Sequence, residues 1–252
     1  MGEARVPGRS AEEGLQAALE EARAAGLELV RSPDGLLLTD GDLRLVADLS
    51  QMKRRLRPGR LQAELLVKAA RIKGAAAPTA LDMTAGLGND SLLLAAAGFT
   101  VTLCERDHVI AALLRDALER AAFDPELRGC VERMHVAEGD SVEALAALGC
   151  PPDVVYLDPM FPERHKSAAV KKKFQLLHHL ERPCEDEGRM LEAALAASPR
   201  KVVVKRPVKG GRLAGAKPSY SVAGKAVRYD VIVPPRPAAG EGQEGDAPGA
   251  RS

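Results

Sequence analysis

The chain has 252 residues, a formal net charge of +1, 46% hydrophobic and only 3% aromatic residues, and no Trp. That length admits one large α/β domain or one domain with a smaller lobe, built on a core of Ala, Leu and Val. The near-neutral balance excludes a polycation, so nucleic-acid binding would need local basic patches. No run of 18 apolar residues argues for a membrane span, and a charged residue 1–14 stretch without an apolar core does not read as a secretory signal. Cys104, Cys130, Cys150 and Cys184 are scattered, with no C-x-x-C pair. This pattern fits a reducing cytoplasm and points to neither a zinc site nor a disulfide framework.

Residues 11–25 are rich in Ala, Glu and Leu, with Leu15, Ala18, Leu19 and Ala22 at helical spacing and Gly26 as a stop. Short strands are expected at 27–31, 36–39 and 43–47, joined by hairpin-type turns at Asp34-Gly35 and Asp40-Gly41. A basic segment follows, with Lys53, Arg54, Arg55, Arg57 and Arg60 around Pro58-Gly59. It reads either as a solvated loop or as one that meets phosphate or gates a substrate, because Arg offers forked donors. Residues 61–73 are expected to form one helix, burying Leu65, Leu66, Ala69, Ala70 and Ile72.

From residue 79 strand and helix alternate. Strands are expected at 79–83, 100–104, 133–137, 153–157 and 201–205, and helices at 90–97, 108–122, 142–148, 170–180 and 188–197. A last pair of strands falls at 219–222 and 228–233. Continuous apolar strands in this order predict an α/β fold with a doubly wound, mostly parallel, seven-stranded sheet, preceded by a small N-terminal α+β lobe. Residues 234–252, dominated by Pro, Gly, Ala and Glu, read as a disordered tail.

Four motifs fall on strand ends, where a doubly wound sheet places its ligands. In the first, Leu81-Asp82-Met83-Thr84-Ala85-Gly86-Leu87-Gly88-Asn89-Asp90, a strand passes through a Gly-rich turn into a helix. Gly86 and Gly88 allow positive φ and close approach, and the helix start offers unpaired N–H groups to a nucleotide-like ligand. Glu105 follows Gly86 by about 20 residues, a spacing that suits a carboxylate accepting from two ribose hydroxyls. Its neighbour Arg106 is either structural or a cover for the ligand. Asp140-Ser141 follows the third strand and could bond an adenine amino group or merely cap the next helix. The fourth motif, Asp158-Pro159-Met160-Phe161, places a carboxylate and a flat ring where a planar amine could be held. Up to this motif, a dinucleotide and a methyl donor remain equally open as ligands.

These motifs together resemble a class I (Rossmann-like) S-adenosylmethionine-dependent methyltransferase, and the fourth resembles the signature of enzymes that methylate exocyclic amino nitrogens. More narrowly, the stretch Asp82 to Asp90, Glu105-Arg106, Val154 to Pro162, Lys166-Ser167-Ala168, Val170-Lys171-Lys172 and Val202 to Pro207 resemble the ribosomal RNA small subunit methyltransferase J family. That resemblance implies methyl transfer from S-adenosyl-L-methionine to the N2 amine of a guanine in 16S rRNA, as free rRNA or in the small ribosomal subunit. It implies cofactor contacts at Gly86, Gly88, Asn89, Asp90, Glu105, Arg106, Asp140, Ser141 and Asp158, and catalytic roles for Asp158, Pro159 and Phe161. Asn89 and Asp140 depart from the family, which usually has Arg and Ser there. Lys166, Lys171, Lys172 and Lys173 are expected to meet RNA phosphates, with Lys205-Arg206 extending the same surface. His178 and His179 read as packing or surface residues, and neither a metal nor an oligomer is expected. The chain then divides into a lobe and basic linker at 1–60, a methyltransferase domain at 61–233 and a tail at 234–252. Rival readings are the same fold acting on adenine N6 or a protein glutamine, or a non-catalytic RNA-binding assembly factor.

Overall fold

The computed structural model describes residues 11–159, 176 and 187–235. The helix Ala11–Ala24 buries Ala18 and Ala22 and packs on the helix His108–Ala122. Strands β1 (Glu28–Ser32), β2 (Gly35–Thr39) and β3 (Arg44–Val46) then form an antiparallel sheet in that order. Ser32 pairs with Gly35, so the first turn is Pro33-Asp34 rather than Asp34-Gly35, with Gly35 closing it at φ 121°. At the second turn, Asp40 Oδ1 accepts the N–H groups of Asp42 (3.0 Å) and Leu43 (2.7 Å), as a short side chain does when it imitates a turn of backbone.

The expected helix over 61–73 is broken. A turn at Pro58–Leu61 is followed by a helix only at Leu65–Ala70. Glu64, with ψ 130°, interrupts the path, and its carboxylate is clamped by Arg55. At the other end Lys201 Nζ takes the carbonyls of Ala69 (3.0 Å) and Arg71 (2.7 Å), closing the helix before residue 73. Short helical pieces at Leu49–Met52, Lys53–Leu56 and Arg128–Val131 were not visible as periodic patterns, because each is a single turn.

The main sheet contains β4 (Thr79–Asp82), β5 (Thr100–Glu105), β6 (Met134–Glu138), β7 (Val154–Leu157), β8 (Lys201–Pro207), β9 (Tyr220–Ala223) and β10 (Val227–Ile232). Its order is β6-β5-β4-β7-β8-β10-β9. Strands β4 to β8 pair parallel, whereas β10 runs antiparallel to both β8 and β9. The expected seven-stranded, mostly parallel sheet is therefore present. Alternation sorts its side chains onto two faces. Val154, Tyr156 and Val203 join the core beneath the helices Asn89–Ala96 and His108–Ala122. Val155, Leu157, Val202 and Val204 join the core beneath Ser141–Ala146 and Glu187–Ala196. The first core also takes in Leu29, Leu36 and Leu38 of the small sheet, so lobe and main sheet share apolar packing.

The chain steps outward from β4 to β5 and β6, then returns to β7 on the other side of β4. The carboxyl ends of β4 and β7 therefore flank a topological switch point, where a crevice opens. No described helix is long and apolar enough to cross a membrane. Apart from Leu176, which is helical and buried, the expected helix over 170–180 lies outside the described residues, as does most of the tail.

Gly86 and Gly88 both have positive φ, at 54° and 78°. A Cβ on Gly88 would lie 2.6 Å from Leu114 Cδ1, whereas one on Gly86 would meet nothing within 4 Å. Gly88→Ala should therefore cost about 2–4 kcal/mol from backbone strain and overpacking together, and Gly86→Ala about 1–2 kcal/mol from strain alone. Urea unfolding of the two variants measures the difference; equal losses would contradict the packing assigned to Gly88.

Candidate active site

Strand β4 ends in Asp82, which is only 1% exposed. Its Oδ2 accepts from Ser91 Oγ at 2.6 Å, and its Oδ1 accepts from the Thr84 N–H at 3.0 Å. One carboxylate thus ties strand, turn and helix together. Burial pushes it up to about 7, against the Ser91 and Thr84 bonds that favour the charged form.

At the end of β5, Glu105 reaches back to the turn. Its Oε2 accepts the Gly86 N–H and its Oε1 the Asp107 N–H, both at 2.9 Å. Each oxygen keeps capacity for a further donor. Burial raises the pKa of this carboxyl, and the backbone bonds oppose the rise. The space beside Gly86 is open, so the turn is bare next to a paired acceptor. That pair of acceptor oxygens fits the adjacent hydroxyls of a ribose.

Across the switch point, the Asp158 N–H donates to Thr84 Oγ1 at 2.7 Å, hooking the end of β7 onto the same turn. Lys205 Nζ, from β8, lies 2.8 Å from both Asp158 Oδ2 and Asp90 Oδ2. Tyr156 donates its hydroxyl to that Asp90 oxygen at 2.7 Å. Burial raises the Asp158 pKa, and Lys205 opposes it. Burial would lower the Lys205 pKa, but Asp90 and Asp158 more than reverse this and hold the ammonium above its usual range. Burial also raises the pKa of Tyr156, keeping it a phenol that donates. Asp90 and Asp158 thus flank one ammonium, with Asp82 and Glu105 on the neighbouring strand ends, and the acidic edge carries a field that favours a cationic ligand.

Gly86, Asp90, Glu105 and Asp158 therefore belong to one hydrogen-bonded group. Asn89 and Arg106 sit exposed at its border, and Pro159 is buried behind Asp158. Asp140 lies one strand further out and caps the helix Ser141–Ala146, its Oδ1 accepting from Val142 (2.7 Å) and Glu143 (3.2 Å). Its Oδ2 pairs with Arg189 at 3.2 Å. Burial works against the charged form of Asp140, but these bonds prevail and lower its pKa. Phe161, Lys166, Lys171, Lys172 and Lys173, like His178 and His179, lie outside the described residues. Among the described residues no group of three His, Cys, Asp or Glu could hold a metal ion.

One expectation needs correcting. Lys205 and Arg206 do not extend an RNA-facing surface. Lys205 bridges two carboxylates, and Arg206 is 4% exposed, bonded to the Gly211 carbonyl (2.8 Å) and Glu187 (3.3 Å). Tyr156, Thr84 and Lys205 went unread as parts of the site. The available signal was positional: Lys205 follows three Val residues at the carboxyl end of a strand, where a charge must find a partner or open solvent.

A family model for SAM-dependent methyltransferases, SAM being S-adenosylmethionine, matches residues 15–234. A ribosomal RNA small subunit methyltransferase J from Thioalkalivibrio sulfidiphilus is 49% identical over 175 residues, covering 69% of this chain and 69% of that protein. One of the same name from Pseudomonas aeruginosa is 46% identical over 180 residues, covering 71% and 68%. The crystal structure of a SAM-dependent methyltransferase from Neisseria gonorrhoeae superposes with a TM-score of 0.65 at 33% identity, covering 87% of this chain and 92% of that one.

Asp82 supplies a pH test. Its carboxyl rises on folding from 3.8 to about 7, so the folded chain binds this proton more tightly than the unfolded chain. Its contribution to stability is full below 3.8 and is lost as pH rises to about 7. Urea unfolding over this range should show a falling stability whose slope is shallower in Asp82→Asn. An identical slope would mean that Asp82 is not the group responsible.

Proposed function

Because the chain belongs to the ribosomal RNA small subunit methyltransferase J family, we propose that it methylates the exocyclic N2 amine of a guanine in small-subunit (16S) rRNA. The observation that carries this reading is the Asp158 carboxylate. It is fixed at a strand end by Thr84 and Lys205, and its Oδ1 has no bond among the described residues. Residues 61–233 are assigned as the catalytic unit and 1–60 as an appended lobe and linker.

S-adenosylmethionine supplies an electrophilic methyl group on a sulfonium. In the proposed arrangement Glu105 accepts its ribose hydroxyls beside the Gly86 turn, and Asp140 or Ser141 meets its adenine. Asn89, Asp90 and Arg106 line the same pocket. The carboxylates of the edge favour the positive sulfonium. The guanine leaves its stack, which costs a few kcal/mol, and Phe161 offers a ring face against which it rests. Asp158 Oδ1 and the Pro159 carbonyl accept the N2 hydrogens and aim the nitrogen lone pair at the methyl group. Guanine N2 is a weak nucleophile because that lone pair is delocalised into the ring. Acceptors that favour a more tetrahedral nitrogen lower the barrier by positioning and electrostatics. As the N–C bond forms, the C–S electrons stay with sulfur and the nitrogen proton leaves to solvent, by way of Asp158 or directly. Lys166 and Lys171–Lys173 are assigned to phosphates flanking the target base.

Incubation with methyl-labelled cofactor and unmodified 16S rRNA or small subunits, followed by nucleoside mapping, should yield N2-methylguanine. Methyladenine, labelled glutamine or no label would each overturn this reading in favour of its rivals. Asp158→Asn should lower the transfer rate about 10²–10³-fold in a folded protein. Lys205→Met removes the ammonium that opposes the rise in the Asp158 pKa. The acid limb of the rate profile should therefore move to higher pH. An unmoved limb would remove Asp158 ionisation from the mechanism.

A further inference from the structure

The basic segment at 53–60 divides into two kinds of residue. Lys53 pairs with Asp124 and Glu126, and Arg55 grips Glu64 through Nη2 and Nε at 2.7 and 2.8 Å. Leu49, Met52 and Leu61 are buried and anchor the same stretch. Arg54, Arg57 and Arg60 are exposed and have no carboxylate partner among the described residues. Three exposed arginines within seven residues thus sit on a fixed stretch of backbone.

A second bank stands beside them. The turn between β9 and β10 packs on the start of the helix Leu65–Ala70, with Leu65 Cδ1 against Gly224. That turn carries exposed Lys225. Its Ala226 carbonyl accepts from the Val208 N–H at 3.0 Å, which joins it to the connection after β8. Arg228 stitches that connection from below, donating to the carbonyls of Pro207 (2.7 Å), Val208 (2.8 Å), Gly210 (3.0 Å) and Gly211 (3.2 Å). The fixed loop presents exposed Lys209 and Arg212. The second bank lies at the carboxyl edge, because β8 and β9 end there, and the first reaches it through the Arg55–Glu64 pair and the contact of Leu65 with Gly224. Lys209 is four residues beyond Lys205, which bonds Asp158.

We propose that Arg54, Arg57 and Arg60 on one bank and Lys209, Arg212 and Lys225 on the other form a phosphate track for the substrate rRNA across this rim. The assignment rests on the rRNA reading above. The backbone of each bank is fixed by ion pairs or by arginine–carbonyl bonds, so little of the frame has to be ordered when a polyanion arrives. The track reads no bases; it holds the backbone so that one nucleotide reaches Asp158. A net charge of only +1 makes the rim a local field rather than a general property of the surface.

The test measures binding of a labelled 16S rRNA fragment to the full chain as a function of salt. Two triple variants are compared, Arg54→Gln/Arg57→Gln/Arg60→Gln and Lys209→Gln/Arg212→Gln/Lys225→Gln. Each should reduce the slope of log K against log salt by about 2–3, and each should raise KM for rRNA more than it lowers kcat. Lys73→Gln/Lys217→Gln, at the opposite edge of the sheet, should leave the slope as in wild type. Unchanged slopes in the folded triples would overturn the track, as would an equal loss in the opposite-edge variant. If the wild type methylates no small-subunit rRNA while the triples still flatten the slope, the functional reading fails and the track stands. If the wild type methylates rRNA and the triples behave like it, the track alone fails.

Discussion

The site depends on one buried carboxylate. Asp82 closes β4, holds Thr84 by its N–H and holds Ser91 by its hydroxyl. Thr84, so fixed, accepts the Asp158 N–H, and the same turn presents the Gly86 N–H to Glu105. Three strand ends are thereby set in register from a single residue. The arrangement has a cost, because a carboxyl with a pKa pushed to about 7 is an expensive group to bury charged. Its bonds to turn and helix make the geometry stiff, which transfer between two positioned atoms requires.

Charge is distributed by depth. The strand ends are acidic, with Asp82, Asp90, Glu105 and Asp158, of which Asp90 and Asp158 share Lys205. The rim is basic, with Arg54, Arg57, Arg60, Lys209, Arg212 and Lys225 exposed. On the proposed reading a cationic donor and a polyanionic acceptor meet at one edge, where a uniform potential would repel one of them. Lys205 keeps the strand ends from becoming too acidic: without it, Asp90 and Asp158 would face each other unpaired in a poorly solvated place. The proposed mechanism needs Asp158 charged and in place, and Lys205 favours both by bonding its carboxylate and opposing the rise in its pKa.

The sheet was legible because its signal is strong and local. Apolar strands separated by amphipathic helices gave the parallel core, and Asp82 to Asp90, Glu105 and Asp158 each fell where a strand ends. The errors share a cause. Periodicity reports which residues are buried but not what lies beside them. Glu64 breaks the helix expected at 61–73, and its clamp, Arg55, lies nine residues away. The turn Pro33-Asp34 differs from Asp34-Gly35 by one step, which the strand pairing decides and composition cannot.

Lys205 shows the limit most clearly. In sequence it stands next to Arg206 and shares the composition of Lys171–Lys173, so it was grouped with a phosphate-binding surface. Its partners, Asp90 and Asp158, are 115 and 47 residues away. Only the parallel pairing of β7 with β8, which brings Leu157 beside Val204, places its ammonium between them. The reverse holds for the segment around Arg54, where neighbours in sequence divide into paired and unpaired cations. Sequence can therefore count the charges available for phosphate, but tertiary pairing decides which of them remain free to meet it. Here that pairing takes Lys53, Arg55, Lys205, Arg206 and Arg228 for the frame and leaves Arg54, Arg57, Arg60, Lys209, Arg212 and Lys225 exposed without a carboxylate partner among the described residues.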